Sequence, residues 1–129
     1  MQEFFNLIGG KYQPSHSAAT FENVSPANSQ DIIGTFPLSG KADIDEAVAS
    51  AKAAFNAWRL TPAPKRGDIL RRAGDIFERR KDELARIMTR EMGKPVFETK
   101  GDVQEAIDTC YYAATEGRRL FGYTVPSEM

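Results

Sequence analysis

Apolar residues change their period twice along this chain, and each change marks a different kind of structure. Phe5-Asn6-Leu7-Ile8 and Lys11-Tyr12-Gln13 flank Gly9-Gly10, and paired glycines supply the positive φ that a two-residue hairpin turn needs. A polar stretch from Pro14 to Thr20 follows, and then Phe21-Glu22-Asn23-Val24 predicts a short strand closed by the turn signal Pro26-Ala27-Asn28-Ser29. Asp31-Ile32-Ile33-Gly34-Thr35-Phe36 predicts the returning strand, with Pro37 and Gly40 marking its exit.

From Ala42 the period becomes helical. Ile44, Val48, Ala51, Phe55 and Trp58 recur at alternating spacings of four and three, which places them on one stripe of a helix. Asp43, Asp45 and Glu46 begin it, where negative charge complements the macrodipole. Thr61-Pro62-Ala63-Pro64 interrupts it. A second helix presents Ile69, Leu70, Ala73, Ile76 and Phe77 on one face, and Arg79-Arg80-Lys81 suggests a break or kink. Beyond that run, Leu84, Ile87, Met88 and Met92 restart the stripe until Gly93 and Pro95 stop it. A last helix is predicted from Val96 or Thr99 to Leu120, its apolar side formed by Val103, Ala106, Ile107, Cys110, Ala114, Gly117 and Phe121, with Gly122 as its end. Short β elements followed by three or four amphipathic helices make an α+β unit.

Composition refines this picture without redirecting it. The chain has 129 residues, 41% hydrophobic and 27% charged, as an ordinary globular domain has. The net charge of -1 conceals a second half rich in both signs, which fits solvated helix faces better than a nucleic-acid footprint. No window reaches the length of apolar residues that a membrane span requires, and Met1-Gln2-Glu3-Phe4-Phe5 lacks the basic start of a secretory signal. The expectation is a cytoplasmic protein with neither a nucleic-acid nor a membrane partner, and Asn23-Val24-Ser25 is then a chance sequon.

The candidate chemistry is sparse. Cys110 is the one cysteine and His16 the one histidine, too few for an internal disulfide or a zinc site. Cys110 falls mid-helix on an apolar stripe, away from any helix N-terminus that would activate its thiol, so it is expected to pack. His16 sits in the polar loop Pro14-Ser15-His16-Ser17 with no orienting shell evident. Asp102, Glu105 and Asp108 predict a solvated helix face. Gly9-Gly10-Lys11 lacks the remainder of a phosphate loop. The basic cluster Arg71, Arg72, Arg79, Arg80 and Lys81 is interleaved with Asp75, Glu78, Asp82 and Glu83, an arrangement that supports a helix by itself. The residues alone therefore compose no catalytic constellation.

Five segments in order nevertheless resemble the N-terminal quarter of the aldehyde dehydrogenase superfamily: Phe5–Tyr12, Phe21–Ala27, the helix Asp43–Trp58, Arg66–Asp75, and Glu91-Met92-Gly93-Lys94-Pro95, which resembles the family's acidic-x-Gly-Lys-Pro signature. The resemblance implies that residues 1–129 form the N-terminal part of an α/β, Rossmann-like cofactor-binding domain, with β elements in 1–40, helices in 41–122 and the next connection beginning at 123–129. It implies an NAD(P)+-dependent oxidation of an aldehyde to a carboxylate or thioester, in which a cysteine thiolate attacks the carbonyl, hydride passes to the nicotinamide and a glutamate-activated water releases the acid. None of the family's nucleophile, glutamate or oxyanion asparagine has a counterpart here, and Cys110 does not match the nucleophile's motif.

The implied reading is thus an N-terminal fragment, inactive alone and binding neither NAD nor NADP by itself, whose partner is the remainder of such an enzyme. Its uncovered stripes are expected to drive homo-oligomer formation. A stand-alone helical interaction module descended from the family is the alternative. The resemblance carries over one site, a structural monovalent cation held by backbone oxygen at Val24 and by Glu91.

Overall fold

The computed structural model describes residues 2–119. Four strands, β1 (Asn6–Ile8), β2 (Lys11–Gln13), β3 (Thr20–Val24) and β4 (Ile32–Pro37), precede four helices, α1 (Lys41–Leu60), α2 (Ala63–Arg79), α3 (Lys81–Met92) and α4 (Val96–Glu116). The described residues divide into two compact units, one containing residues 2–60 together with 87–95, the other containing 61–86 and 96–119.

In the first unit β1 and β2 pair antiparallel, Asn6 opposite Gln13 and Ile8 opposite Lys11, around a turn with Gly9 at φ 59° and Gly10 at φ 79°. Two successive positive φ values are what a type I′ turn requires, so the glycine pair fixes the hairpin register. β3 and β4 form a second antiparallel pair, Phe21 opposite Phe36, with a bulge between Asn23 and Val24. One strand-like contact was not evident from the periodicity. The N-terminal residues run parallel to β4, with Phe4 N–H donating to Thr35 O at 2.9 Å and Thr35 N–H donating to Gln2 O at 3.0 Å. Gly34 admits them, since a Cβ there would lie 2.6 Å from Gln2 O, and the Phe4 ring stacks on Phe36 at 4.3 Å.

α1 begins as its first-turn acid predicts. Asp43 is buried and accepts the N–H of Gly40 at 2.8 Å, the reciprocal half of a capping box. The apolar stripe that defined α1 in the sequence is uncovered in this chain: Ile44 is 60% exposed, Phe55 59% and Trp58 46%.

In the second unit α2 packs on α4 through small residues, and much of its apolar stripe is left uncovered. The buried positions of α2 are Gly67 and Gly74, while Ile69, Leu70 and Ile76 are exposed. A Cβ at residue 67 would stand 2.2 Å from Ala114 O, and one at residue 74 would stand 2.9 Å from the Tyr111 ring. Glycine thus admits the Ala114 backbone at one point of this contact and the Tyr111 ring at the other. α2 also starts inside the proline stretch, with Pro62 before its first residue and Pro64 in its first turn, where a missing N–H costs nothing.

The break at Arg80 separates α2 from α3 as the charge run predicts. Ala85 of α3 and Thr99, Val103 and Ile107 of α4 are buried, and Thr99 Oγ1 donates to Ala85 O at 2.9 Å. α4 ends at Glu116 rather than at Leu120. Three-residue turns from Arg118 N–H to Thr115 O and from Arg119 N–H to Glu116 O follow, around a glycine whose weak helix propensity favours termination. Leu120, Phe121 and Gly122, named above as the helix end, lie outside the described residues, as does the connection 123–129.

Candidate functional site

The carried-over cation residues lie where β3, the β3–β4 loop and the end of α3 meet within the first unit. Val24 closes β3 opposite Ile32 and is partly exposed. The loop after it is held by its own backbone: Ser25 N–H donates to Asp31 O at 2.9 Å, Asn28 N–H to Ser25 O at 3.2 Å and Asp31 N–H to Asn28 O at 2.9 Å. Asn28 Oδ1 also accepts Gln30 N–H at 3.1 Å, an Asx turn.

Arg90 fastens α3 to this loop. Its Nε and Nη2 donate to the two carboxylate oxygens of Asp31 at 2.9 and 2.6 Å, and Nη2 also reaches Ile32 O at 3.2 Å. This is the bidentate fork that distinguishes arginine from lysine. The hydrogen bond from Arg90 holds the Asp31 carboxyl below the usual carboxylate range, against the opposing effect of burial. Two residues past Glu91, Gly93 adopts φ 75° and donates to Thr89 O at 2.9 Å, ending the helix, and a Cβ on it would stand 3.1 Å from Pro26 Cγ. Glu91 is thus bracketed by two attachments to the same loop, while its own exposed carboxylate makes no ion pair or hydrogen bond among the described residues.

The donor set suits a hard, weakly charged ion. Val24 offers a carbonyl oxygen and Glu91 an unpaired carboxylate, and the same loop already turns a carboxylate and a carbonyl onto the positive charge of Arg90. No group of three His, Cys, Asp or Glu side chains suited to a metal occurs among the described residues.

The other candidates are committed to structure. His16 donates its backbone N–H to Asp43 Oδ1 at 2.9 Å and places Nε2 2.8 Å from Glu46 Oε2. Hydrogen bonds from Gly40 and then His16 keep Asp43 below the ordinary range, and Glu46 is held low first by Gln13 and next by His16. His16 therefore pins its loop to α1 instead of facing an open site. Asp43 also borders a shallow groove of about 250 Å³ lined by Asn6, Leu7, Ile8, Ser39, Ile44 and Ala47. Its carboxylate is spent on the helix cap, and the Ser39 hydroxyl of the lining is paired with the Asn6 side chain.

Cys110 is half-buried on α4, its Cβ 3.3 Å from where a Cβ on Gly74 would fall, which is a packing role. The adjacent tyrosines part ways. Tyr112 is exposed, whereas Tyr111 donates from its hydroxyl toward Asp75 Oδ1 at 3.0 Å and Glu78 Oε2 at 3.1 Å. Burial, reinforced by these two carboxylates, pushes the Tyr111 phenol up to about 12. Two of the five cations of the basic cluster are paired in place, Arg71 on Asp75 at 3.2 Å and Arg80 on Glu83 at 2.6 Å, while Asp82 takes Lys100 at 2.8 Å. No described helix is long and apolar enough to cross a membrane.

What sequence reasoning missed is instructive. Arg90 and Asp31 were visible only as a helix charge and a strand end, because their pairing spans 59 residues. The contact glycines had a signal, glycine at positions seven apart in an otherwise helical run, but it does not register on a scale of apolar size.

A known frame accounts for a fold with capped ends, uncovered stripes and no reactive centre. The aldehyde dehydrogenase family profile matches residues 12–129. The alpha-ketoglutarate semialdehyde dehydrogenase of Haloferax volcanii is 40% identical over 117 residues, which is 91% of this chain and 24% of that protein. The crystal structure of succinate-semialdehyde dehydrogenase from Burkholderia pseudomallei superimposes with a TM-score of 0.89 at 39% identity, covering 98% of this chain and 26% of that one. PnpE, solved in complex with nicotinamide adenine dinucleotide, aligns with a TM-score of 0.88 at 29% identity over 99% of this chain and 26% of its own. The chain spans about a quarter of the length of these relatives. With a family profile matched over residues 12–129 and relatives similar along nearly its whole length, the chain belongs to the aldehyde dehydrogenase family.

Proposed function

We propose that this chain is the N-terminal part of an NAD(P)+-dependent aldehyde dehydrogenase, contributing scaffold to the cofactor-binding domain and none of the reacting groups. The observation that carries the reading is the pairing of a family match along nearly the whole chain with coverage of only a quarter of each relative. In this reading residues 1–40 supply the β elements and 41–122 the helices of one domain, whose remaining sheet covers the α1 stripe. NAD or NADP, bound by the rest of the enzyme, accepts the hydride. This chain's own part is to hold backbone and helix ends in place.

Val24 and Glu91 are this chain's contribution to a monovalent-cation site, with water or groups from the rest of the enzyme completing the shell. The exposed Glu91 carboxylate, without a protein partner on a helix end that Arg90 fastens to the loop after Val24, supports it. Several relatives carry semialdehyde names, so acidic semialdehydes head the substrate panel.

The test is reduction of NAD+ or NADP+ by the purified chain with that panel. The expected result is no turnover, with or without Cys110→Ser. Turnover abolished by Cys110→Ser would make Cys110 a nucleophile and overturn the reading.

A further inference from the structure

We infer that a second copy of this chain docks on the apolar stripe of α1, the two helices lying antiparallel about a twofold axis beside Ala51. Inside its own unit α1 is held through another side. Asp43 accepts the backbone N–H groups of His16 and Gly40, and Glu46 accepts Gln13 Nε2 and pairs with His16. The stripe lies about a third of a turn round the helix from these residues. Ile44, Val48, Ala51, Phe55 and Trp58 are all exposed, as is every residue from 51 to 60. Their alternating spacings of four and three are those of a coiled-coil seam.

This seam is self-complementary in one direction only. A twofold axis puts residue i of one copy against residue j of the other, and j against i. Centred on Ala51, it sets Ile44 against Trp58 and Val48 against Phe55, an aliphatic side chain opposite a ring each time, while the two Ala51 methyls let the helix axes approach. Asp45, Lys52 and Arg59, each seven residues from the next, form one edge of the stripe, and Ala47 and Ala54 form the other. Antiparallel pairing brings Asp45 of each copy beside Arg59 of the other, two attractive contacts against one Lys52–Lys52 repulsion. In a parallel pair the charged edge would meet the alanine edge, and no charge would select that order. The charge pattern therefore points to a second copy in this orientation. One helix per copy makes a small interface, so the dissociation constant is expected on the order of 100 µM, and the dilute chain keeps the stripe in solvent. In the enzyme proposed above, the remaining sheet competes for the same face.

Sedimentation velocity of the 129-residue chain, at concentrations on both sides of that constant, reads the pairing. The parent is expected to pass from monomer to dimer. Ala51→Glu sets two carboxylates face to face on the axis and is expected to stay monomeric, with circular dichroism checking that its helices remain. Asp45→Arg and Arg59→Asp each make both edge contacts repulsive and are expected to weaken the homodimer about tenfold. An equal mixture of these two variants is expected to recover the parent's affinity, because every Arg then meets an Asp. A parent that stays monomeric overturns the inference, as does a dimer indifferent to Ala51→Glu. A dimer whose charge variants do not recover on mixing overturns the antiparallel order and the inference with it. If Ala51→Glu does not fold, the mixture still decides. None of these results bears on aldehyde turnover by the chain, so the enzyme reading stands or falls separately.

Discussion

α1 and α4 are nearly the same length, 20 and 21 residues, and each carries an apolar stripe at helical spacing, yet they end in opposite circumstances. α4 buries Thr99, Val103 and Ile107. α1 buries only Asp43, a polar cap, and leaves Ile44, Val48, Phe55 and Trp58 in solvent. A periodic stripe states that a face needs cover; it does not say that the same chain supplies it. For α4 the cover is α2 and α3, and for α1 the proposed cover is the sheet built by the rest of the enzyme. Exposed apolar surface on this scale marks a contact surface.

Substitutions on the two helices sharpen the contrast. Ile107→Ala, at a position 1% exposed, is expected to cost about 2–5 kcal/mol in denaturant unfolding, whereas Phe55→Ala should stay within about 0.5 kcal/mol because its site is already solvated. Equal costs would mean that α1 is covered after all, for instance by a second copy of the chain. Gly67→Ala drives a methyl into the Ala114 carbonyl and is expected to lose about 1–3 kcal/mol. Thr99→Val, which keeps the shape but removes the hydroxyl bond to Ala85 O, is expected to lose about 1–2 kcal/mol by the same measurement.

The units should also separate by pH. Asp43 has a folded pKa below its unfolded value near 3.8, so its contribution is complete above about pH 4 and disappears as pH falls through the lowered value. Tyr111 has the reverse sign. Its hydrogen bonds contribute fully below pH 10 and are lost as pH rises toward about 12. Acid is therefore expected to loosen the start of α1 and base to loosen α2 against α4, as followed by residue-resolved amide exchange. Asp43→Asn should abolish the first response and Tyr111→Phe the second. The smallest effect is expected from Phe55→Ser, which should lower the binding of an apolar dye while leaving the unfolding midpoint unmoved.

How much of this was legible beforehand follows from the range of each interaction. Gly9-Gly10, the break at Arg80 and the stop at Gly93 are local chemistry, and each stands where the residues place it. The β3–β4 pairing follows from alternation and a turn signal. The parallel strap of Gln2–Phe4 on β4 was hidden, since its enabling feature is the missing side chain of Gly34. The α2–α4 contact was hidden for a related reason: it runs through Gly67 against the Ala114 carbonyl and Gly74 against the Tyr111 ring, while the stripe residues Ile69 and Ile76 stay exposed. At the candidate site Glu91 belongs to a short motif, whereas the Arg90–Asp31 pair next to it required the folded chain.

The most direct test of the uncovered α1 face is reconstitution. This chain is co-expressed with the complementary three quarters of the succinate-semialdehyde dehydrogenase it resembles, and aldehyde-dependent NAD(P)H formation is measured. The account predicts activity only when both pieces are present, and its loss in Phe55→Asp, which puts a charge on the face to be covered. Turnover by this chain alone, or reconstituted activity indifferent to Phe55→Asp, would contradict it.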